Sequence, residues 1–377
     1  MLYHFDFRTW LAMLRLARAE RNPRARRRLL LELRVAVPLV AGFHAACFLL
    51  DWLFFPSLRR QGVHTPVFVI GHARSGTTLL HRLLSEDREL FSAFLLWELY
   101  FPSLLQKKAL RALARLDARW LGGALARRVA AWERAKFAAT NDMHPMSFFA
   151  PEEDDFVLTY ACASGWWIVR FPYLEQLDFY YVDEWPERRR RRLLRFYREC
   201  VRRQLAFRGG ERIHLSKNPT YCGRVESLLE AFPDARIVVT LRNPYETIPS
   251  LLKLMQRGWQ IRGFAPEAMR SSLRALSQMS FHNYLHPLEV LGRHPETPRA
   301  LVDYRELVAS PRHAVESVYA ALGLPLSAGA AAALDAEEQR SRRHETAHAY
   351  SLAEFGLDAG EIRARLAPLF ERWGWPD

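Results

Sequence analysis

Cysteine is scarce in this 377-residue sequence, which contains only four such residues. They lie far apart in the chain and form no C-x-x-C pair: Cys47, Cys162, Cys200 and Cys222. Such spacing argues against a disulfide framework and against a zinc site, and it fits the reducing environment of the cytoplasm. The sequence also lacks internal repeats and low-complexity linkers, which favours one main domain with an extension at its N-terminus.

Acidic residues are outnumbered, because 41 Asp and Glu stand against 54 Lys and Arg and leave a net charge of +13. An excess of this size favours anionic partners, such as nucleotides or acidic lipid surfaces. The arginines concentrate in runs, at 24–28 and 188–192, that are typical of solvated helix faces. We therefore expect no nucleic-acid partner.

We expect no secretory signal either, because the most apolar segment, residues 35–55, begins only after many charged residues. The segment is about long enough to cross a bilayer. It is interrupted by residues that suit a membrane interior poorly: Pro38, Gly42, His44 and Asp51. Basic flanks and Trp52 favour a helix on an acidic membrane surface, and a buried helix or a true span are the alternatives. We predict a helical extension over residues 1–60 that associates with the cytoplasmic face of the inner membrane.

What the sequence does contain is a strand, a glycine-bounded loop and a helix start within residues 66–84. Residues 66–70 are apolar and β-branched, as in a buried parallel strand, and an apolar helical pattern begins at Leu79. Backbone N–H groups and the helix dipole converge between them, which predicts a phosphate- or sulfate-binding loop. The residues expected to bind the anion are Arg74, Ser75, Gly76, Thr77 and Thr78. The alternative is a tight strand–helix turn whose hydroxyl groups bond internally.

The loop departs from the pattern of nucleotide triphosphatases. A Walker A loop has lysine directly after its second glycine, where it reaches the β- and γ-phosphates. Gly71 and Gly76 have the Walker spacing, but Thr77 occupies the lysine position and the cation stands earlier, at Arg74. A P-loop kinase or triphosphatase is therefore the disfavoured alternative, together with a non-catalytic nucleotide-binding protein at a membrane.

Strand and helix patterns continue to alternate after the loop, which predicts a parallel α/β sheet with its ligand at the carboxyl ends of the strands. Three more strands are predicted, at 212–216, 236–241 and 300–304. Lys217 follows the first of them, and Arg242 follows the second. Ser250 lies in the next helix, close enough to bind one anion together with Arg242. The predicted fold is a P-loop-like parallel sheet flanked by helices, over residues 61–377.

Two groups of carboxylates are candidates for acid–base chemistry. Glu98 stands among aromatic and aliphatic residues, and an apolar environment strengthens a carboxylate as a general base. A glutamate on a helix surface is the alternative. The acidic run 152–155 follows Pro151, which is typical of a helix N-terminus, so capping is preferred over a metal site. Aromatic residues between 148 and 181 are candidates for an apolar acceptor pocket.

With these segments placed, residues 60–375 resemble the sulfotransferases that use 3′-phosphoadenosine 5′-phosphosulfate (PAPS), in particular the broad bacterial family and the tyrosylprotein sulfotransferases. The family's closing phrase H-x-Y-S-L-x-x-F-G-L matches residues 348–357. The resemblance implies that the loop from Arg74 to Thr78 holds the 5′-phosphosulfate. It also implies that Arg242 and Ser250 hold the 3′-phosphate, and that Tyr304 lies near the adenine.

The resemblance further implies metal-free transfer to a hydroxyl or amine, with Arg74 and Lys217 stabilising the negative charge. Cytosolic sulfotransferases place a histidine base two residues after this lysine, where the present sequence has proline. Tyrosylprotein sulfotransferases use a glutamate that matches Glu98, so Glu98 is the predicted base, with His144 and Glu152 in reserve. The expected acceptor is a small molecule, a lipid or a carbohydrate, with a hydrophobic alcohol preferred.

Overall fold

The centre of the protein is a parallel β-sheet, seen in a computed structural model that describes residues 3–138, 146–332, 334 and 351–376. Within these residues the sheet has five strands: β1 (Val67–Gly71), β2 (Phe91–Ser92), β3 (Ile213–Lys217), β4 (Arg236–Leu241) and β5 (Arg299–Asp303). Their order is β2-β3-β1-β4-β5, and every neighbouring pair is parallel. The predicted α/β fold with a parallel sheet is confirmed.

Helices flank the sheet and explain why its strands are so apolar. All five residues of β1 are buried, as expected for a parallel strand that is covered on both faces. The four longer strands were predicted, whereas β2 has only two residues and is too short to give a pattern. From β1 onward the α-helices whose bounds lie within the described residues are α4 (Thr77–Ser85), α5 (Leu96–Tyr100), α6 (Leu104–Trp120), α7 (Ala124–Phe137), α8 (Glu187–Arg208), α9 (Val225–Ala231), α10 (Pro244–Ile261), α11 (Pro266–Arg293), α12 (Tyr304–Ala309), α13 (Pro311–Ala321), α14 (Ala359–Arg365) and α15 (Ala367–Trp373).

The N-terminal region is helical, as predicted. It contains α1 (Phe7–Ala19), α2 (Pro23–Leu31) and α3 (Val37–Phe54), and a π-helical turn (Glu32–Ala36) makes α2 and α3 one continuous helix. Met13, Leu33 and Phe48 belong to the same hydrophobic core as Phe68 and Ile70 of β1. The extension therefore packs directly on the sheet-containing part, and a boundary at residue 60 stays a prediction.

The register of the three central strands brings the candidate residues together. Val69 of β1 pairs with Lys217 of β3, and Gly71 pairs with Thr240 of β4. Because the strands are parallel, their carboxyl ends meet at one edge of the sheet. The loop after β1, Lys217 at the end of β3 and Arg242 after β4 consequently surround the same volume.

Candidate active site

The predicted anion-binding loop is fastened to the sheet through Ser75. The Ser75 Oγ donates to the carbonyl of His72 over 2.6 Å and shares a 2.7 Å hydrogen bond with Thr240 Oγ1 on β4. Both hydroxyl groups are buried. The first N–H groups of α4 have no partner inside the helix, so they and the helix dipole remain available to an anion at the loop.

Two glycines let the loop turn this tightly. Gly71 and Gly76 have φ angles of +144° and +92°. A Cβ at Gly71 would lie 2.4 Å from the carbonyl oxygen of Thr240, and one at Gly76 would lie 2.7 Å from the ring of Tyr304. Arg74 also has a positive φ, 75°, although it carries a side chain. Such strained residues concentrate at ligand sites, where the surrounding structure imposes their conformation.

The two predicted phosphate sites are joined by direct hydrogen bonds. Arg74 Nε donates to Ser250 Oγ over 3.1 Å, and Arg242 Nη1 donates to the backbone carbonyl of Arg74 over 3.3 Å. Arg242 also forms an ion pair with Glu246, with an Nε–Oε2 distance of 2.8 Å. Two guanidinium groups and the start of two helices thus meet at one edge of the sheet, which makes this edge strongly attractive to phosphate groups.

Tyr304 lies between the two phosphate sites. Its ring centroid is 4.0 Å from the guanidinium carbon of Arg242, a cation–π contact that holds the arginine in place. The ring also lies against the loop after β1, because a Cβ added at Gly76 would lie 2.7 Å from it. The structure therefore brings Tyr304 together with both predicted phosphate sites.

Lys217 is buried at the end of β3 and faces two carboxylates. Its Nζ lies 2.9 Å from Glu153 Oε1 and 3.4 Å from Glu152 Oε1. Burial lowers the pKa of Lys217, but the attraction of Glu153 and Glu152 outweighs burial and the net pKa is raised. The lysine is thus held in its charged form beside the anion loop. A 3.0 Å hydrogen bond from the Asn218 N–H to the Val69 carbonyl fixes this end of β3 against β1.

Glu98, the predicted base, is enclosed by hydrogen-bond partners at the start of α5. Its Oε2 accepts from the Leu95 N–H and from Gln204 Nε2, each over 2.8 Å, and its Oε1 pairs with Arg208 Nη2 at 2.6 Å. The expectation of an apolar environment is therefore wrong, because a charged guanidinium and two further donors compensate the buried carboxylate. Glu98 caps α5, and its role as a base stays a prediction.

The four acidic residues at 152–155 contact different partners. A helix does begin there, the 3₁₀-helix Asp154–Ala161, as the sequence indicated. However, Asp154 Oδ2 pairs with His214 Nε2 at 2.9 Å, and Asp155 Oδ1 pairs with Arg224 Nη1 at 3.0 Å. These buried contacts tie the segment to β3 and to the chain after it. Within the described ranges, no group of His, Cys, Asp and Glu side chains is arranged to hold a metal ion.

The side chains of Tyr284 and His72 support the two loops from behind, a role that the sequence did not assign to them. The Tyr284 hydroxyl donates to the carbonyl of Arg242 over 2.7 Å, and the ring of Tyr284 stacks on His72 with a centroid distance of 5.2 Å. Burial lowers the pKa of His72 to about 4, so a neutral imidazole packs there near neutral pH. Only the apolar setting of Tyr284 is visible in the sequence, and this does not distinguish support of a site from an ordinary core position.

Two elements of the sequence-based site cannot be placed, because His144 and residues 348–350 lie outside the described residues. The chain beyond them returns to the site. Trp375 Nε1 donates to Asp303 Oδ2 over 3.2 Å, directly before Tyr304, and Asn243 Nδ2 donates to a backbone carbonyl near the C-terminus. The chain that follows α15 thus packs next to the residues that flank Tyr304 and Arg242.

Known proteins with similar sequences were found by two comparisons. A family model described as "Sulfotransferase family" matches residues 66–328. The chain is 29% identical over 290 residues to omega-hydroxy-beta-dihydromenaquinone-9 sulfotransferase Stf3 of Mycobacterium bovis, and equally to Stf3 of Mycobacterium tuberculosis. The match spans 69% of this chain and 63% of each relative, so the chain covers less than two thirds of the length of these curated relatives.

Solved structures share the fold along nearly the whole chain. Sulfotransferase STF9 from Mycobacterium avium has a TM-score of 0.76 at 19% identity, with 100% of this chain and 94% of that chain covered. Sulfotransferase STF1 from Mycobacterium tuberculosis has a TM-score of 0.69 at 21% identity, with 96% and 92% covered. The family model spans most of the chain, and the chain therefore belongs to the sulfotransferase family.

Proposed function

We propose that this enzyme moves a sulfuryl group from PAPS to the hydroxyl, or less favourably an amine, of a hydrophobic acceptor. The observation that carries the proposal is the 3.1 Å hydrogen bond between Arg74 Nε and Ser250 Oγ. It links the loop after β1 with the Arg242 site, so one ligand with phosphate groups at both its 5′ and 3′ ends fits the pair of sites. ATP carries phosphates at one end only, and Thr77 stands where its loop would need lysine.

Each residue then has a defined task in binding. PAPS, when bound, supplies the sulfuryl group and a 5′-phosphate that departs with the bridging oxygen. The backbone N–H groups of residues 76–78 and the Arg74 guanidinium bind the 5′ end, since the Ser75 N–H already donates to the His72 carbonyl over 3.1 Å. Arg242 and Ser250 bind the 3′-phosphate, and Tyr304 packs beside the adenine between these two sites.

Charge stabilisation falls to Arg74 and Lys217. During transfer, a bond forms between the acceptor oxygen and sulfur while the bond from sulfur to the bridging oxygen breaks, and that oxygen keeps the electron pair. Negative charge grows on the bridging oxygen, as it does in phosphoryl transfer. A buried, charged Lys217 and the Arg74 guanidinium are positioned to stabilise this charge without rearranging, which is the main source of catalysis in such sites.

The acceptor proton needs a carboxylate, and two candidates compete. Glu98 is the candidate from the resemblance, but both of its oxygens already accept hydrogen bonds from Leu95, Gln204 or Arg208. Glu152 is also bonded, because its Oε1 accepts from the Glu153 N–H over 2.8 Å, but it contacts Lys217 and so stands next to the residue that stabilises the transferred group. We favour Glu152 for this reason, and the variants below decide between the two.

The acceptor we propose is a lipid-like molecule with a hydroxyl on an apolar chain. Stf3, a relative that shares 29% identity, is named for an omega-hydroxylated dihydromenaquinone. In the present structure the segment before Glu152 is rich in aromatic contacts: the Phe148 ring lies 5.2 Å from Trp132, 5.3 Å from Phe137 and 6.2 Å from Tyr100. An apolar environment of this kind, in the segment that leads to Glu152, favours a hydrophobic acceptor over a carbohydrate.

Nucleotide preference tests the donor. We expect 3′-phosphoadenosine 5′-phosphate (PAP), the product nucleotide, to raise the melting temperature of the protein in the absence of magnesium. ATP and adenosine 5′-phosphate are expected to raise it much less, because they lack the 3′-phosphate. A preference for ATP, or stabilisation only when magnesium is present, would contradict the proposed donor.

Three glutamine variants test the base: Glu98→Gln, Glu152→Gln and, as a matched control at the same lysine, Glu153→Gln. Glu152→Gln should lower the transfer rate about 10²- to 10⁴-fold, which is typical for the loss of a general base, while PAP binding persists. Glu153→Gln should lower the transfer rate less, because it changes only the electrostatic field at Lys217. If Glu98→Gln alone abolishes transfer in a folded, PAP-binding protein, the role belongs to Glu98.

A further inference from the structure

Exposed large apolar side chains concentrate on three neighbouring helices. We call this set the apolar face: Leu39, Phe43, Leu49, Trp52 and Leu53 of α3, Leu113, Leu116 and Trp120 of α6, and Leu125 and Trp132 of α7. Several are highly exposed, with 71% for Leu53 and 71% for Trp120. α3 packs on α6 and α6 packs on α7, so the exposed residues belong to adjoining helices. Apolar surface of this extent marks an interaction site rather than ordinary solvent-facing surface.

The helical spacing shows that the exposed residues of α3 form one side of the helix. Leu39 and Phe43 are separated by one helical turn, and Leu49 and Leu53 repeat that spacing. The same long helix, Pro23–Phe54, is apolar and long enough to cross a membrane by length and composition, and about a third of its apolar window is buried. A face that is apolar on the outside is typical of a helix in contact with lipid.

The other side of α3 is bonded to the enzyme through polar groups. Asp51 is fully buried and pairs with Arg203 Nε at 2.8 Å, and it also accepts from Ser103 Oγ over 2.9 Å. Two helical turns before Asp51, His44 Nδ1 lies 2.9 Å from Gln106 Nε2. These buried contacts join one side of α3 to the rest of the enzyme, so the helix lies on a membrane surface. If α3 crossed the bilayer instead, it would separate from these partners and leave polar groups unpaired in lipid.

Positive charge surrounds the apolar face. Between residues 104 and 137, α6 and α7 contain nine Lys or Arg residues, of which Lys107 is buried, but only two acidic ones. Both acidic residues are occupied by backbone N–H groups: Asp117 accepts from Leu125 over 2.9 Å, and Glu133 accepts from Phe148. At the C-terminal end of α3, the Arg59 guanidinium lies 4.1 Å from the Trp52 ring centroid. Basic side chains beside exposed tryptophan are the arrangement that binds the headgroups of an anionic membrane.

We propose that the apolar face is a docking surface for an anionic lipid bilayer, on which the enzyme lies as a monotopic protein. The apolar side chains enter the headgroup boundary, and the arginines of α6 and α7 contact lipid phosphates. Charge complementarity distinguishes this occupant from a second copy of the chain, because two copies would bring the same positive helices together.

The docking surface adjoins the acceptor end of the site, a step that rests on the proposed function. Trp132 of the apolar face stacks on Phe148, with ring centroids 5.2 Å apart and an interplanar angle of 10°. The next residue, Phe149, is 61% exposed. Glu152 follows three residues later, so the two Cα atoms are separated by at most about 10 Å. An acceptor with a long apolar chain can therefore keep that chain in the bilayer while its hydroxyl reaches Lys217.

Flotation with preformed vesicles tests the docking. The probe is vesicles of equal parts phosphatidylglycerol and phosphatidylcholine, compared with vesicles of phosphatidylcholine alone. We expect the full-length protein to float with the anionic vesicles and to do so less at high salt. Two double variants, Leu39→Ser with Phe43→Ser and Leu116→Ser with Trp120→Ser, should each lower the bound fraction at least several-fold. The matched control is Ile261→Ser, an exposed apolar position at the end of α10, which should float like the wild type.

Each further outcome counts for or against the proposal. Equal flotation of the double variants and the wild type would overturn it, and so would a loss caused by Ile261→Ser alone. Protein that resists extraction by alkaline carbonate would indicate a spanning helix. A dimer that the same double variants dissociate, without flotation of the wild type, would assign the face to a second copy. Because PAP-induced stabilisation is measured on every variant, failure of docking is separated from failure of the proposed sulfuryl transfer.

Discussion

Arg74 and Ser250 are 176 positions apart in the chain, yet Arg74 Nε donates to Ser250 Oγ over 3.1 Å. The contact is possible because β1 and β4 are parallel neighbours, so the elements that follow them start at the same edge of the sheet. Arg74 comes from the loop after β1 and Ser250 from the second turn of α10. The two predicted anion sites therefore lie side by side, and variants at either end should distinguish the two ends of the proposed nucleotide.

Removal of the Arg242 guanidinium should weaken binding of the 3′-phosphate selectively. We expect Arg242→Ala to lower the affinity for PAP about 10- to 100-fold, which corresponds to the loss of one or two charged hydrogen bonds. Binding of adenosine 5′-phosphate should change little. Isothermal titration calorimetry measures both ligands, and Arg257→Ala, on an exposed position of the same helix, is the control. An equal loss for both nucleotides would contradict the assignment.

Gly76→Ala should disrupt the loop through the Tyr304 ring. Its Cβ would lie 2.7 Å from that ring, and φ of +92° is strained for alanine. We expect a lower melting temperature and a loss of PAP-induced stabilisation. Gly258→Ala is the matched control, because that glycine lies in α10 with no atom near its added Cβ. It should be neutral or stabilising by up to about 1 kcal/mol, since alanine is the better helix former. Similar behaviour of the two variants would refute the contact.

The buried ion pair Asp51–Arg203 should contribute strongly to the stability of the folded protein, and its contribution should depend on both partners. Asp51→Leu removes one of the two carboxylates that pair with buried Arg203, the other being Glu199, and it also removes the acceptor of the Leu104 and Leu105 N–H groups. The loss should cost about 3–5 kcal/mol of unfolding free energy. The double variant Asp51→Leu with Arg203→Leu should lose less, because it removes both charges from the interior. Urea unfolding measures the difference. A double variant less stable than Asp51→Leu would show that the pair itself is not the source of the cost.

Acid should destabilise the protein partly through His72. Burial lowers the pKa of His72 from 6.5 to about 4, so the unfolded chain takes up a proton between these pH values and the folded chain does not. The stability that this residue contributes is complete above pH 6.5 and is lost as the pH falls towards 4. Urea unfolding from pH 7.5 to 4.5 should show a slope that His72→Gln reduces by up to about 1.4 kcal/mol per pH unit. Parallel curves for the two proteins would exclude this contribution.

Local patterns in the sequence were sufficient for the sheet and for the residues at its edge. Apolar β-branched runs gave four of the five strands, and glycines, prolines and hydroxyl residues after them gave the loops that hold Arg74, Lys217 and Arg242. The sequence could not show which partner each carboxylate has. Glu98 reads as a carboxylate in an apolar stretch, but Arg208, a distant residue, pairs with it in the structure.

The sequence by itself determined the α/β class, the sulfotransferase family and the residues after each strand, because backbone conformation and strand burial depend on neighbours within a few positions. Tertiary structure alone decided that Arg74 and Ser250 bond to each other, that Glu152 and Glu153 are the carboxylates at Lys217, and that α3 is bonded along one side and exposed along the other. These relationships join residues far apart in the chain. Strand order and helix packing create them, and neither is encoded in any local pattern.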